Sequence, residues 1–154
     1  MSADRPVTFV IEPSPDHPGW LTCDITVPDG YNVAVLGPLL TRREDNGTCR
    51  LRCVPRPHLR NALNMIHGGG LLGLIDVSLF AGISVLTEHD GAGAMTVDLS
   101  TQFIGAGRMD RPLDAVVEIL RETGRLVFLR GVLEQEGVLV AAYHGTVRKA
   151  STRA

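Results

Sequence analysis

Aromatic residues are scarce in this chain: one Trp, two Tyr and four Phe among 154 residues. Binding of single-stranded nucleic acid needs aromatic platforms interleaved with basic charge. Neither is present, since acidic and basic residues are interspersed and the net charge is −2. An anionic ligand would have to be held by a few local Arg or Lys side chains, and no nucleic-acid partner is expected. Cysteine is scarce as well. Cys23, Cys49 and Cys53 are odd in number and form no CxxC pair. Two cysteines four residues apart on one strand stand about 13 Å apart, too far to bridge. Cys49, Leu51 and Cys53 alternate with Arg50, Arg52 and Val54, so the thiols read as small core residues, and the expected setting is a reducing cytoplasm. No His cluster has metal-ligand spacing, so no metal is expected. The first twenty residues lack a basic stretch followed by an apolar run, so no signal peptide is expected.

Hydrophobic residues make up 44% and charged residues 21%, the composition of one globular domain that buries roughly 70% of its unfolded surface. Residues 1–38 read as an N-terminal extension. The prolines crowd there without sustained periodicity, and one short helix or strand is expected. The domain proper runs over 39–149, with a tail at 150–154. Strands at Leu39–Arg43 and Thr48–Val54 flank the turn "EDNG". A helix runs from Gly68 to about Thr87. The next segment alternates, with Met95, Val97, Leu99, Thr101 and Phe103 on one face and Thr96, Asp98, Ser100 and Gln102 on the other. Leu113–Glu122, Arg125–Gln135 and Val138–Lys149 are three more strands. The class is α+β: an antiparallel sheet wrapped around a single long helix. One sheet cannot cover every face of that helix, so a second copy is expected to complete a homodimer. Residues 68–87 are apolar enough to raise a membrane span, but Asp76 and the exit "TEHDG" point instead to a soluble helix buried on all sides.

The helix start "HGGG" carries the first chemistry. Its leading N–H groups lack intrahelical partners and its dipole favours negative charge. Glycines there let a ligand approach the backbone, as a carbonyl oxygen gaining negative charge during acyl transfer would; they equally suit close helix packing. Asp76 lies eight residues after Gly68, about 12 Å along the axis, so the two cannot serve one carbonyl within one chain. Antiparallel helices from two subunits could bring them together. An unpaired charge in an apolar helix is costly, which favours a function for Asp76 over a carboxylate held by structural hydrogen bonds. His67 suits either a carbonyl ligand or a helix cap, and Asn61 either a loop hydrogen bond or a turn.

Taken together, Asn61, "HGG" at His67–Gly69, Asp76, then "TVDLSTQF" and "RETGRLVF" resemble the hotdog-fold acyl-CoA thioesterases of the phenylacetyl-CoA thioesterase type, over Leu39–Lys149. The resemblance implies a central helix wrapped by an antiparallel sheet, dimers that pair into tetramers, and hydrolysis of an acyl-CoA. It implies no cofactor, coenzyme A being part of the substrate. It makes Asp76 the catalytic carboxylate, as general base or as nucleophile, and Gly68 the backbone donor to the carbonyl. His67 and Asn61 become the polar pair that positions the thioester and its loop. Thr96 would orient water beside the carboxylate, or is an ordinary strand residue. Phe103, Thr123, Gly124 and Arg125 match coenzyme A contacts, Arg125 through a phosphate. Leu71, Leu72 and Phe103 would line an aryl or an alkyl pocket alike. Asn64 stands where the family usually has Gly. The hydratase-type hotdog signature fails here, because Ala62 stands where its Asp would be. The rival reading is a hotdog protein that binds an acyl ligand without cleaving it; a purely structural domain leaves Asp76 unused.

Overall fold

The computed structural model describes residues 9–25, 27 and 29–150; the first eight residues and the tail after Ala150 lie outside these. The elements in chain order are β1 (Phe9–Pro13), β2 (Leu21–Ile25), a π-helical turn (Asn32–Leu36), β3 (Leu39–Arg43), β4 (Cys49–Cys53), a short 3-10 turn (Pro57–Leu59), α1 (Gly68–Leu86), β5 (Met95–Phe103), β6 (Leu113–Glu122), β7 (Leu126–Gln135) and β8 (Val138–Arg148). The strands form one sheet in the order β1-β2-β3-β4-β6-β7-β8-β5, every pairing antiparallel.

The N-terminal extension holds more structure than the single short element expected. Two strands pair with each other and β2 joins β3. Of the prolines that argued for irregularity, Pro13 ends β1 and Pro15 and Pro18 fall in the loop behind it, where no ladder N–H is lost, while Pro6 and Pro28 lie outside the described residues. Arg42 and Arg52 both set their guanidinium groups over the ring of Trp20, just before β2, 4.3 and 4.6 Å from its centre. Arg52 in turn grips Asp114 on β6, and Arg50 bonds Glu44, Asp114 and Glu134. The outer face of β3, β4, β6 and β7 is thus one charged network that reaches the extension.

α1 presses Leu74, Ile75, Leu79 and Ile83 against Leu51, Val117, Leu129 and Val147, all essentially without solvent exposure. Its cover is one-sided. Gly69 and Leu72 are exposed and Gly73, Asp76 and Phe80 half-buried, so burial on all sides is not achieved within one chain, because a single sheet reaches one side of a cylinder. The helix is long and apolar enough to cross a membrane by length and composition, with a mean hydropathy of 1.9, and 56% of it is packed inside the fold.

Beneath α1, the buried Ser78 donates to the Ile75 carbonyl and lies 2.7 Å from the Tyr143 hydroxyl, which therefore donates to Ser78. Gly131 on β7 makes room for that phenol. A Cβ built there would come within 2.5 Å of Tyr143 Oη and 2.6 Å of the Val116 carbonyl oxygen.

All three cysteines are free and buried. Burial pushes Cys23 up to about 12 and Cys49 and Cys53 up to about 11, from an ordinary 9.0. A thiol-reactive dye at pH 8 is therefore expected to label none of the three in the native protein and all three in denaturant. The folded state disfavours the thiolate, so these groups support stability fully below pH 9. That support is lost as pH climbs toward 11–12. Rapid native labelling would contradict the burial.

Candidate active site

The helix start is built by the preceding loop. Asn61 Oδ1 accepts the N–H groups of Leu63 and Met65 at 2.9 and 3.0 Å, closing a tight turn. Asn64 adopts a left-handed φ of 61°, which asparagine tolerates better than other side-chain-bearing residues. His67 then caps α1: its Nδ1 accepts the Gly69 N–H at 2.9 Å. An accepting Nδ1 places the proton of the neutral ring on Nε2; the residue as a whole is exposed. Gly70 and Leu71 both donate to the His67 carbonyl. The Gly68 N–H is left without an acceptor among the described residues. Phe103, at the end of β5, lies across this glycine, its Cζ 3.6 Å from where a Gly68 Cβ would be.

Asp76 is two turns further along, and its Oδ1 accepts the Thr96 hydroxyl at 2.7 Å. The simple alternation expected for β5 puts Thr96 on the face opposite Leu99 and Phe103, and the structure corrects this. Thr96 pairs with Val147 while Asp98 pairs with Thr146, so the ladder slips at Val97. This β-bulge inserts one residue. It turns Val97 out to solvent and brings Thr96 onto the inner face with Leu99 and Phe103.

Thr123, Gly124 and Arg125 form the β6–β7 turn. Thr123 Oγ1 accepts the Leu126 N–H at 2.9 Å. Gly124 lines a cavity of about 300 Å³ with Ile83, His89 and Lys149, at the far end of α1. There Lys149 donates to Glu122 at 2.8 Å and His89 stands 2.9 Å from the same oxygen. The Lys149 hydrogen bond, against a smaller desolvation effect, holds the Glu122 carboxyl below its ordinary value. The charge of Lys149 is thus spent within the chain, whereas Arg125 is exposed and makes no ion pair among the described residues.

One chain therefore brings together Asn61, His67, Gly68 and Phe103 at the helix start, and Asp76 with Thr96 at mid-helix. It leaves Thr123–Arg125 at the helix end. No group of three or more His, Cys, Asp or Glu side chains suited to a metal ion occurs among the described residues.

The sequence profile of the thioesterase superfamily matches residues 63–142, just over half the chain, from the loop before α1 into β8. The chain belongs to the thioesterase superfamily. No curated protein matches this thioesterase-superfamily chain in sequence. Among solved structures, a conserved protein of Pseudomonas aeruginosa is 24% identical with a TM-score of 0.67, covering 77% of this chain and 93% of that one. The Escherichia coli PaaI protein of the phenylacetic acid degradation operon is 16% identical with a TM-score of 0.66, covering 80% and 86%. A hypothetical thioesterase of Streptococcus pneumoniae, solved with coenzyme A, is 18% identical with a TM-score of 0.64, covering 79% and 93%. The fold of this superfamily member is the hotdog fold, as its eight-stranded antiparallel sheet around one helix shows.

One residue packed on α1 three positions before Asp76 went unremarked in the sequence. Tyr31, in the extension, lies over Gly73 on the open side of α1. Its only sequence signal is being one of two tyrosines, in a proline-rich stretch where no periodicity points to a contact.

Proposed function

We propose that this protein hydrolyses an acyl- or aryl-CoA thioester to the free acid and coenzyme A, and does so as a homodimer. The observation that carries the reading is Asp76. It is the one charged side chain of α1, with one oxygen held by Thr96 and the other without a hydrogen bond to any described residue. Such a group is oriented and still free to act as general base on water or as nucleophile. Gly68, with its unclaimed N–H at a helix N-terminus, is suited to an oxygen gaining negative charge. The two are about 12 Å apart along α1. An active site therefore takes Gly68 and His67 from one protomer and Asp76 and Thr96 from the other, across the uncovered helix faces. Either water, giving a proton to Asp76 as it attacks, or Asp76 itself adds to the thioester carbonyl. The oxyanion rests on the Gly68 N–H, and the coenzyme A thiolate leaves as the carbonyl re-forms. In the second route water then cleaves the acyl–Asp76 anhydride to the free acid. Phe103 at the helix start and the exposed Arg125 contact coenzyme A, Arg125 through a phosphate. The reaction calls on no further cofactor. Free buried thiols suit the reducing cytoplasm, and dimers pairing into tetramers complete the assembly.

The test is thiol release from aryl, short-, medium- and long-chain acyl-CoA. Release from at least one class is expected. Tight binding of a thioester with no release from any class would overturn hydrolysis in favour of an acyl-CoA-binding protein.

A further inference from the structure

Tyr31 is held in place by more than its own ring. It starts the π-helical turn Asn32–Leu36, whose last residue, Leu36, is anchored in the core. The turn's carbonyls are gripped from the segment before α1: Arg56 Nη1 donates to Val33 and Ala34, and His58 Nε2 lies 2.7 Å from the Val35 oxygen. This frame sets the phenol across α1 at Gly73. A Cβ there would come within 2.8 Å of the ring's Cε1 and 3.0 Å of its Cζ, and closer still to the hydroxyl, so the ring occupies the space that glycine leaves.

Gly73 is three residues before Asp76, and Leu72 four, so both share a helix face with the carboxylate. Helical side chains lean toward the N-terminus, so Asp76 reaches back over the turn that carries Gly73. Half of the Tyr31 surface stays open, at 50% exposure, and Leu72 is 39% exposed. The two make an apolar surface next to the carboxylate. The phenol itself makes no hydrogen bond to a described residue.

We propose that Tyr31 is a specificity-determining residue: its ring, filling the Gly73 notch one turn before Asp76, is the wall against which the acyl group rests. The proposal builds on the hydrolytic reading above. A carbonyl within attacking distance of Asp76, about 3–3.5 Å, lays its first acyl carbons on Leu72 and Tyr31. A chain running toward the helix start meets the ring within one turn, about 5.4 Å. The site therefore favours a compact acyl group, an aryl ring or a short alkyl chain, and rejects long chains.

The experiment compares kcat/KM for acetyl-, phenylacetyl-, octanoyl- and palmitoyl-CoA in the full-length wild type, Tyr31→Phe, Tyr31→Ala, Gly73→Ala and the Tyr31→Ala/Gly73→Ala double variant, each checked for unchanged oligomeric size. Tyr31→Phe is expected to keep the wild-type profile. Tyr31→Ala is expected to raise the palmitoyl-to-phenylacetyl ratio at least about tenfold, the scale of pocket discrimination between apolar groups. Gly73→Ala, whose methyl displaces the ring, should shift the ratio the same way in wild type and leave it unmoved once Tyr31 is alanine. That coupling gives a second route should Tyr31→Ala fail to fold. A wild type active on some of the four, whose profile neither Tyr31→Ala nor Gly73→Ala alters, overturns the proposal alone. A wild type that releases thiol from none of them overturns the hydrolytic reading and the proposal with it.

Discussion

Asp76→Asn is expected to lower kcat at least about a hundredfold, the scale for losing a general base and about 2.7 kcal/mol of barrier, with KM little changed and the dimer intact. Asparagine has nearly the shape of aspartate, and its Oδ1 can still accept the Thr96 hydroxyl that now bonds Asp76 at 2.7 Å. What it cannot do is take a proton from water or attack a carbonyl. A fall in kcat without a rise in KM marks an interaction made in the transition state. Asp76 is half-buried on the open side of α1, so the neutral side chain is not expected to disturb folding. Steady-state thiol release, with size measured by light scattering, checks both halves. A variant with wild-type kcat would remove Asp76 from the chemistry.

Gly131→Ala should be the most damaging single methyl added to the core, at a cost of about 3 kcal/mol. The added Cβ would stand 2.6 Å from a backbone oxygen of β6 and 2.5 Å from the Tyr143 hydroxyl. The first neighbour is locked in the sheet ladder. The second can move only by abandoning Ser78, its 2.7 Å partner. Overpacking of this kind costs about 1–3 kcal/mol, and a buried hydroxyl deprived of its partner a further 1–3. A cost near 3 kcal/mol corresponds to a Tm lower by about 6–12 °C for a chain of this size. Tyr143→Phe/Gly131→Ala should recover a minor part of the loss, because the phenol oxygen is one of three clashing atoms, and the ring's Cζ, at 2.6 Å, and the Val116 oxygen remain. Equal stability of Gly131→Ala and wild type in thermal unfolding would refute the account.

The helix and the strands after it were legible because their signals are periodic and local: an apolar run after "HGGG", then alternation broken by "TG" and "EG" turns. The Glu136-Gly137 turn, both residues at positive φ, joins β7 to β8 as those letters suggest. The extension was not legible. β1 and β2 are five residues each and draw their stability from pairing with the sheet and from the Arg42–Trp20–Arg52 stack, which are long-range contacts with no local signature. At the site, the positions of Asn61, His67 and Gly68 follow from capping and turn chemistry. The Thr96 orientation does not, since period-two reasoning sends it outward. Only the family resemblance placed it beside the carboxylate. Tyr31 was invisible for the same reason as the extension: its partner, Gly73, lies 42 positions away and contributes nothing but the lack of a side chain.

The slip at Val97 also bears on how this strand can change over generations. With residue 97 set outside the ladder, Thr96, Asp98 and Leu99 occupy consecutive pairing positions, so the facing of Thr96 is held by its register with β8 rather than by any one letter. Substitution at 97 can alter what solvent meets while leaving Thr96 on Asp76. Loss of that single codon would close the bulge with Thr96 still opposite Val147 and Asp98 still opposite Thr146, so each residue would keep its face. A lineage can thus drift in the identity of this residue, and even in its presence, without turning Thr96 away from Asp76.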